Sequence, residues 1–170
     1  MTNTVVVDTN VAIVANGRAN HIADQRCVGA CIDNLRNIVD KGRVAIDDGY
    51  RILDEYRRNL SPSGQPGTGD MFFKWVWDNQ ANVDHVEQVK ITPKPDHQDN
   101  FQEFPTDNRL RGFHTKDRKF VAVALASRSR PTVLNASDTD WWKYRKVLRE
   151  FGEVVPLVVG IHAVGDSFIV

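Results

Sequence analysis

Four acidic positions stand at the joints of this chain, and their types and spacing are what could do chemistry. Asp8 ends the apolar, β-branched run Thr4-Val5-Val6-Val7. Glu55 follows Ile52-Leu53-Asp54 inside a helical stretch. Asp117 stands just ahead of the apolar run Phe120 to Leu125. Asp138, with Asp140 close behind, follows Val133-Leu134-Asn135-Ala136-Ser137. Carboxylates brought together resist joint ionisation. A hard divalent cation removes that cost, and Mg²⁺ keeps several of its waters, so few carboxylates per ion suffice. Two such ions could activate a water and steady the leaving oxygen in phosphodiester cleavage. The competing reading is that each acid caps its own helix. That suits Asp8, Asp117, Asp138 and Asp140; it does not suit Glu55, which lies in mid-helix.

Whether these acids meet depends on the elements that carry them. Thr4 to Val7 reads as a buried strand of a parallel sheet. A short helix starts near Val11 and breaks at Asn16-Gly17. A longer one is expected from about His21 to Asp40, with Ile22, Val28, Cys31, Ile32, Leu35, Ile38 and Val39 at spacings of three and four. Gly42 is placed to cap its end. Arg43 to Asp47 is a second strand, and Asp48-Gly49 opens a helix through Leu60, with Asp48 as its N-cap. Ser61 to Gly69 is a flexible loop by composition. A helix from Asp70 to Asn79 carries Phe72, Phe73, Trp75 and Trp77, which suit a core or a dimer surface. Val83 to Ile91 alternates as an edge strand would, and Thr92 to His114 is irregular, a candidate lid or substrate-facing loop. Then come a helix from Lys116 to Ser127, a strand over Pro131 to Asn135, a helix from Asp138 to Phe151 with Trp142 and Leu148 turned inward, and a last strand over Val154 to Val159.

This alternation predicts one α/β domain over residues 1–170 with a largely parallel sheet. Right-handed crossovers put the carboxyl ends of parallel strands at one edge, where ligands bind in open α/β sheets. Asp8 and Asp138 should therefore face one crevice, which Asp117 and Glu55 can join.

Composition narrows the partners. The chain has 22 basic and 22 acidic residues and no net charge, so no global field draws it to nucleic acid or membrane. A phosphate-binding surface must then be local. Arg109, Arg111, Lys116, Arg118 and Lys119 form the densest basic group and flank Asp117. They could position phosphates, and His114 could hold a phosphate or a substrate backbone; a merely solvated face is the alternative. No run is long enough to span a bilayer and the first residues lack a secretory pattern, so a cytoplasmic location is expected. Cys27 and Cys31 lie on one helix face and read as small core residues rather than a disulfide framework.

Four segments resemble, in order, the motifs of the PIN-domain nucleases. They are Val5-Val6-Val7-Asp8-Thr9-Asn10-Val11, Ile52-Leu53-Asp54-Glu55-Tyr56, His114 to Leu125 around Asp117, and Val133 to Trp141 around Asp138 and Asp140. The resemblance implies a PIN-like, Rossmann-like three-layer α/β/α sandwich and Mg²⁺- or Mn²⁺-dependent endoribonuclease activity with one or two ions. It carries a metal-ligand and catalytic role onto Asp8, Glu55, Asp117 and Asp138, with Asp140 as a further ligand through a water. Thr9 and Asn10 would orient Asp8. Ala136 stands where the family usually has Thr or Ser, a contact Ser137 could supply. The biological setting implied is the toxin of a toxin–antitoxin pair, with an RNA substrate, an antitoxin protein as partner and a homodimer. Two other readings stay open: a catalytically inactive PIN-like module that binds nucleic acid or protein, and a haloacid-dehalogenase-type phosphotransfer enzyme with Asp8 as nucleophile. For the latter, Asn10 stands where a second Asp is wanted.

Overall fold

A computed structural model describes residues 3–18, 23–136, 138–152 and 156–158. Five strands form one sheet in the order β3-β2-β1-β6-β7, and every pairing is parallel. The strands are β1 (Thr4–Val7), β2 (Arg43–Asp47), β3 (Val86–Val89), β6 (Thr132–Asn135) and β7 (Pro156–Val158). Between β3 and β6 an antiparallel hairpin, β4 (Pro93–Lys94) and β5 (His97–Phe101), stands apart from the sheet. The helices are α1 (Thr9–Ala15), α2 (Gln25–Lys41), α3 (Arg51–Asn59), α4 (Thr68–Asn79), α5 (Arg118–Ala126) and α6 (Thr139–Glu150).

The chain steps outward from β1 to β2 to β3, then returns to the other side of β1 for β6 and β7. Right-handed crossovers therefore place α1 to α4 on one face and α5 and α6 on the other. The contacts agree: α1, α2 and α4 pack together, while α5 lies against β1, β2 and β6. The product is a three-layer α/β arrangement around β1. Its strand order reverses between β1 and β6, which is where α/β sheets open a crevice.

Central strands explain the apolar runs. Val5, Val6 and Val7 are buried, as are Val44, Ala45 and Ile46 on β2 and Val133 and Leu134 on β6. Helical segments contribute one stripe each: Cys27, Cys31, Leu35 and Ile38 on α2, and Ile52, Leu53 and Tyr56 on α3. Both cysteines are buried and unbridged. One glycine is required by close approach. A Cβ on Gly69 would lie 2.0 Å from the Ala12 carbonyl oxygen, so only glycine lets α4 meet α1 there.

Several expected boundaries shift for identifiable reasons. The long helix begins at Gln25, because Asp24 caps it by accepting from the Cys27 amide at 2.8 Å. Its expected start at His21 and Ile22 lies outside the described residues. Asp48 does not cap α3. The buried Asp47 does, accepting from the amides of Arg51 at 2.9 Å and Ile52 at 2.8 Å. The irregular segment 92–114 contains the β4–β5 hairpin and a single 3-10 turn, Asn108–Leu110; a second, Thr115–Asp117, leads into α5. On α6 the ring that turns inward is Trp141, fully buried, while Trp142 is half-exposed with the Arg145 guanidinium 3.7 Å from its ring centroid. No helix among the described residues is long and apolar enough to cross a membrane.

Candidate active site

The carboxyl ends of β1 and β6 deliver the first two acids. The Asp8 backbone amide donates to the Leu134 carbonyl at 2.9 Å, which extends the β1–β6 ladder by one residue. Asp8 then leaves the sheet as the N-cap of α1 and is 4% exposed. Its Oδ1 accepts from the Asn10 amide at 3.1 Å. Its Oδ2 accepts from the Trp141 indole N–H at 2.8 Å and from the Asn135 amide at 3.3 Å. The carboxylate is thus clamped by groups from α1, β6 and α6. Asn10 ties the same edge together, its Oδ1 accepting from the Ala136 amide at 3.0 Å. Asp138 caps α6 through the Asp140 amide at 2.8 Å.

Glu55 arrives from α3. The neighbouring Tyr56 hydroxyl donates to the Val7 carbonyl and pins that helix to the end of β1. Glu55 Oε1 accepts from the Thr9 hydroxyl at 2.6 Å, and Oε2 meets the Lys119 ammonium at 2.6 Å. Asp117 ends the 3-10 turn before α5, with His114 Nδ1 at 3.9 Å from its Oδ2.

Glu55, Asp117, Asp138 and Asp140 line one open cleft of about 760 Å³; Asp8 is buried and is not among its lining residues. The charges of these acids act on one another. Burial, then the charges of Asp117 and Glu55, push Asp8 up to about 7, against the amide of Asn10 and the indole of Trp141. Burial, then Asp138, Glu55 and Asp140, push Asp117 up to about 7, while Lys119 pulls it down. Two carboxyls pushed up to about 7 by burial and by neighbouring acids mark a candidate for function rather than for stability.

The chain matches no family model, no curated protein and no solved structure. The reading of the site therefore rests on its own geometry.

The donor set is all oxygen, as a hard cation requires, and it is crowded enough that a cation would relieve it. Among the described residues none donates a hydrogen bond to the carboxylates of Asp117 and Asp140 or to Oδ2 of Asp138. Glu55 and Asp8 differ, because both oxygens of each are engaged, those of Glu55 by Thr9 and the Lys119 ammonium and those of Asp8 by uncharged donors alone. Among the described residues no group of three or more His, Cys, Asp or Glu side chains stands ready-made to hold an ion. Asp8, Asp117 and Asp138 are the residues that would hold an ion, and it would supply the positive charge their carboxylates lack.

The expected phosphate-binding group divides. His114 and Lys116 line the cleft and are exposed. Lys119 also reaches it, but buried and paired with Glu55, so it is not a surface contact for substrate. Arg109 is committed elsewhere, to Asp107 at 2.8 Å and to Glu150 at 2.7 Å. Arg111 and Arg118 line a separate recess, where Arg118 sits 4.8 Å over the Phe104 ring and donates to Asn100 at 3.1 Å. Thr9 turns to Glu55 rather than to Asp8. Ser137 lies outside the described residues.

Residue-type reasoning missed four contributors. Asn135 and Trp141 clamp Asp8, and Arg51 and Arg58 bring positive charge from α3 to the cleft wall. Arg58 and Trp141 carried a readable signal. Arg58 follows Glu55 by three, one helical turn along the same side. Trp141 follows Asp138 by three at a helix start.

Proposed function

We propose that this protein is a metal-dependent endoribonuclease with a PIN-like fold, which hydrolyses RNA phosphodiester bonds at the cleft between α3, α5 and α6. The observation that carries the reading is the convergence of Asp8, Asp117 and Asp138 at the point where strand order reverses, with Asp8 and Asp117 both held near neutrality. The three-layer α/β arrangement with its parallel sheet and the four motifs in sequence are what support the family reading. Asp8, Asp117 and Asp138 would hold Mg²⁺ or Mn²⁺, with Asp140 beside them. The ion, when bound, supplies a nucleophilic water and charge neutralisation at the phosphate.

The chain's own residues do the rest. Asn10, Asn135 and Trp141 fix the Asp8 carboxylate before substrate arrives. Fixing it in advance avoids reorganisation during the reaction. Trp141→Phe keeps an aromatic side chain but removes the indole N–H, with some loss of buried volume, so activity should fall roughly 10–100-fold, the range for losing a group that orients a ligand. Turnover of labelled RNA checks this, with a near-UV spectrum to show that the core is retained.

Arg58 and Lys116 are exposed on the cleft wall with no side-chain partner among the described residues. They are placed to meet the RNA backbone. Arg58→Ala should weaken binding across all sequences and reduce the slope of log K against log salt by about 1. Fluorescence anisotropy over a salt series reads both.

The test of the function is cleavage of tRNA, rRNA fragments and single-stranded DNA with Mg²⁺, Mn²⁺ or EDTA, wild type beside Asp8→Asn. Metal-dependent RNA cleavage that Asp8→Asn abolishes is the expected result. Binding of RNA without cleavage by either folded protein would instead establish a binding module.

A further inference from the structure

The cation nearest the acid cluster is one of the chain's own. Lys119 lies in the first turn of α5 and is 7% exposed. Its ammonium meets Glu55 Oε2 at 2.6 Å, donates to the Lys116 carbonyl and stands 4.6 Å from the centroid of the Phe120 ring. Glu55 Oε1 is held at the same time by the Thr9 hydroxyl at 2.6 Å. Lys119 also lowers the cost of ionising Asp117. A single ammonium therefore neutralises one acid and stabilises the charge of a second, from inside the cluster.

Two-ion hydrolases do this with a second metal about 3.5–4 Å from the first. A lysine ammonium is a compact point charge, and here its ion pair with Glu55 offsets the loss of its hydration. We propose that Lys119 is the fixed second cation of this site: it holds Glu55 away from the metal, so the cluster takes one divalent ion, on Asp8, Asp117 and Asp138, and not two. Glu55 and Lys119 are then positioning residues and not ligands. The inference rests on the metal-site reading above.

The test counts ions rather than turnovers. Mn²⁺ is titrated into the full chain, with free Mn²⁺ followed by electron paramagnetic resonance and heat by calorimetry, for wild type, Lys119→Arg, Lys119→Met, Glu55→Gln and Lys119→Met with Glu55→Gln. Wild type and Lys119→Arg should bind one ion. Glu55→Gln should also bind one, because Glu55 is not a ligand. Lys119→Met frees Glu55 and should bind a second ion, which the double variant should lose again. Two ions in the wild type, or loss of Mn²⁺ binding in Glu55→Gln, overturns the proposal while leaving a metal site in place. No Mn²⁺ binding by the folded wild type removes the metal reading itself, and the proposal with it. If Lys119→Met does not fold, the wild-type and Glu55→Gln counts still decide.

Discussion

Asp117→Asn should leave the protein a far weaker ribonuclease and, in EDTA at pH 8, more stable than the wild type. The Asp117 carboxyl is held up at about 7 by burial and by Asp138, Glu55 and Asp140. His114, 3.9 Å away, is its only side-chain ion-pair partner among the described residues. The amide keeps the shape and removes the repelling charge. A gain of about 1–2 kcal/mol at pH 8 corresponds to a melting temperature raised by roughly 2–8 °C in a chain of this size. Cleavage in saturating Mn²⁺ should fall by at least about 10²-fold, the loss typical of removing one group that stabilises the transition-state charge. The opposed signs are diagnostic. An acid kept for structure loses stability when neutralised, whereas an acid kept for chemistry gains it. A lower melting temperature with retained cleavage would take Asp117 out of the site.

Without divalent ions, stability should also decline as pH rises from about 4 to about 8. Asp8 and Asp117 are pushed from 3.8 to about 7, by burial first and by neighbouring carboxylates second. Between those values the folded chain binds more protons than the unfolded one, so the free energy of unfolding falls with rising pH. The contribution of these two groups is complete below the unfolded value and gone above the folded one. One pKa unit is about 1.4 kcal/mol, and the repulsion the pair shares counts once, so together they account for several kcal/mol at most. Mn²⁺ should reverse the trend. It binds the ionised acids of the folded chain and adds about 4 kcal/mol at a thousandfold excess over Kd. Melting curves in EDTA and in Mn²⁺ at a series of pH values give the two slopes. Parallel slopes would mean that the acids share no ion.

Much of this architecture is legible in residue order. Thr4-Val5-Val6-Val7 is uninterrupted and β-branched because β1 is buried on both faces in the middle of the sheet. The period of three and four over α2 reflects one buried stripe. The edge strand β3 is shorter than its alternating pattern, since pairing with β2 ends at Val89. The hairpin β4–β5 left no usable signal. Its strands are short, polar and proline-containing, and residues 97–100 bury little apolar surface. Asp47 rather than Asp48 caps α3 because Tyr50 takes a left-handed conformation, φ 60°, that turns the α3 amides back to Asp47.

The sequence by itself determined the alternation of strands and helices, the apolar stripes that bury them, and the acids at strand ends, because periodicity and placement at a joint are local properties of the chain. Tertiary structure decided which side chains share a charge. The dense basic run near Asp117 scattered, with Arg109 going to Asp107 and Glu150, Arg118 stacking on Phe104, and Lys119 turning in to Glu55. Trp141, 133 residues from Asp8, became its hydrogen-bond donor. Electrostatic pairing and desolvation depend on distance through space, and those distances exist only once β1, β6, α3 and α5 have packed.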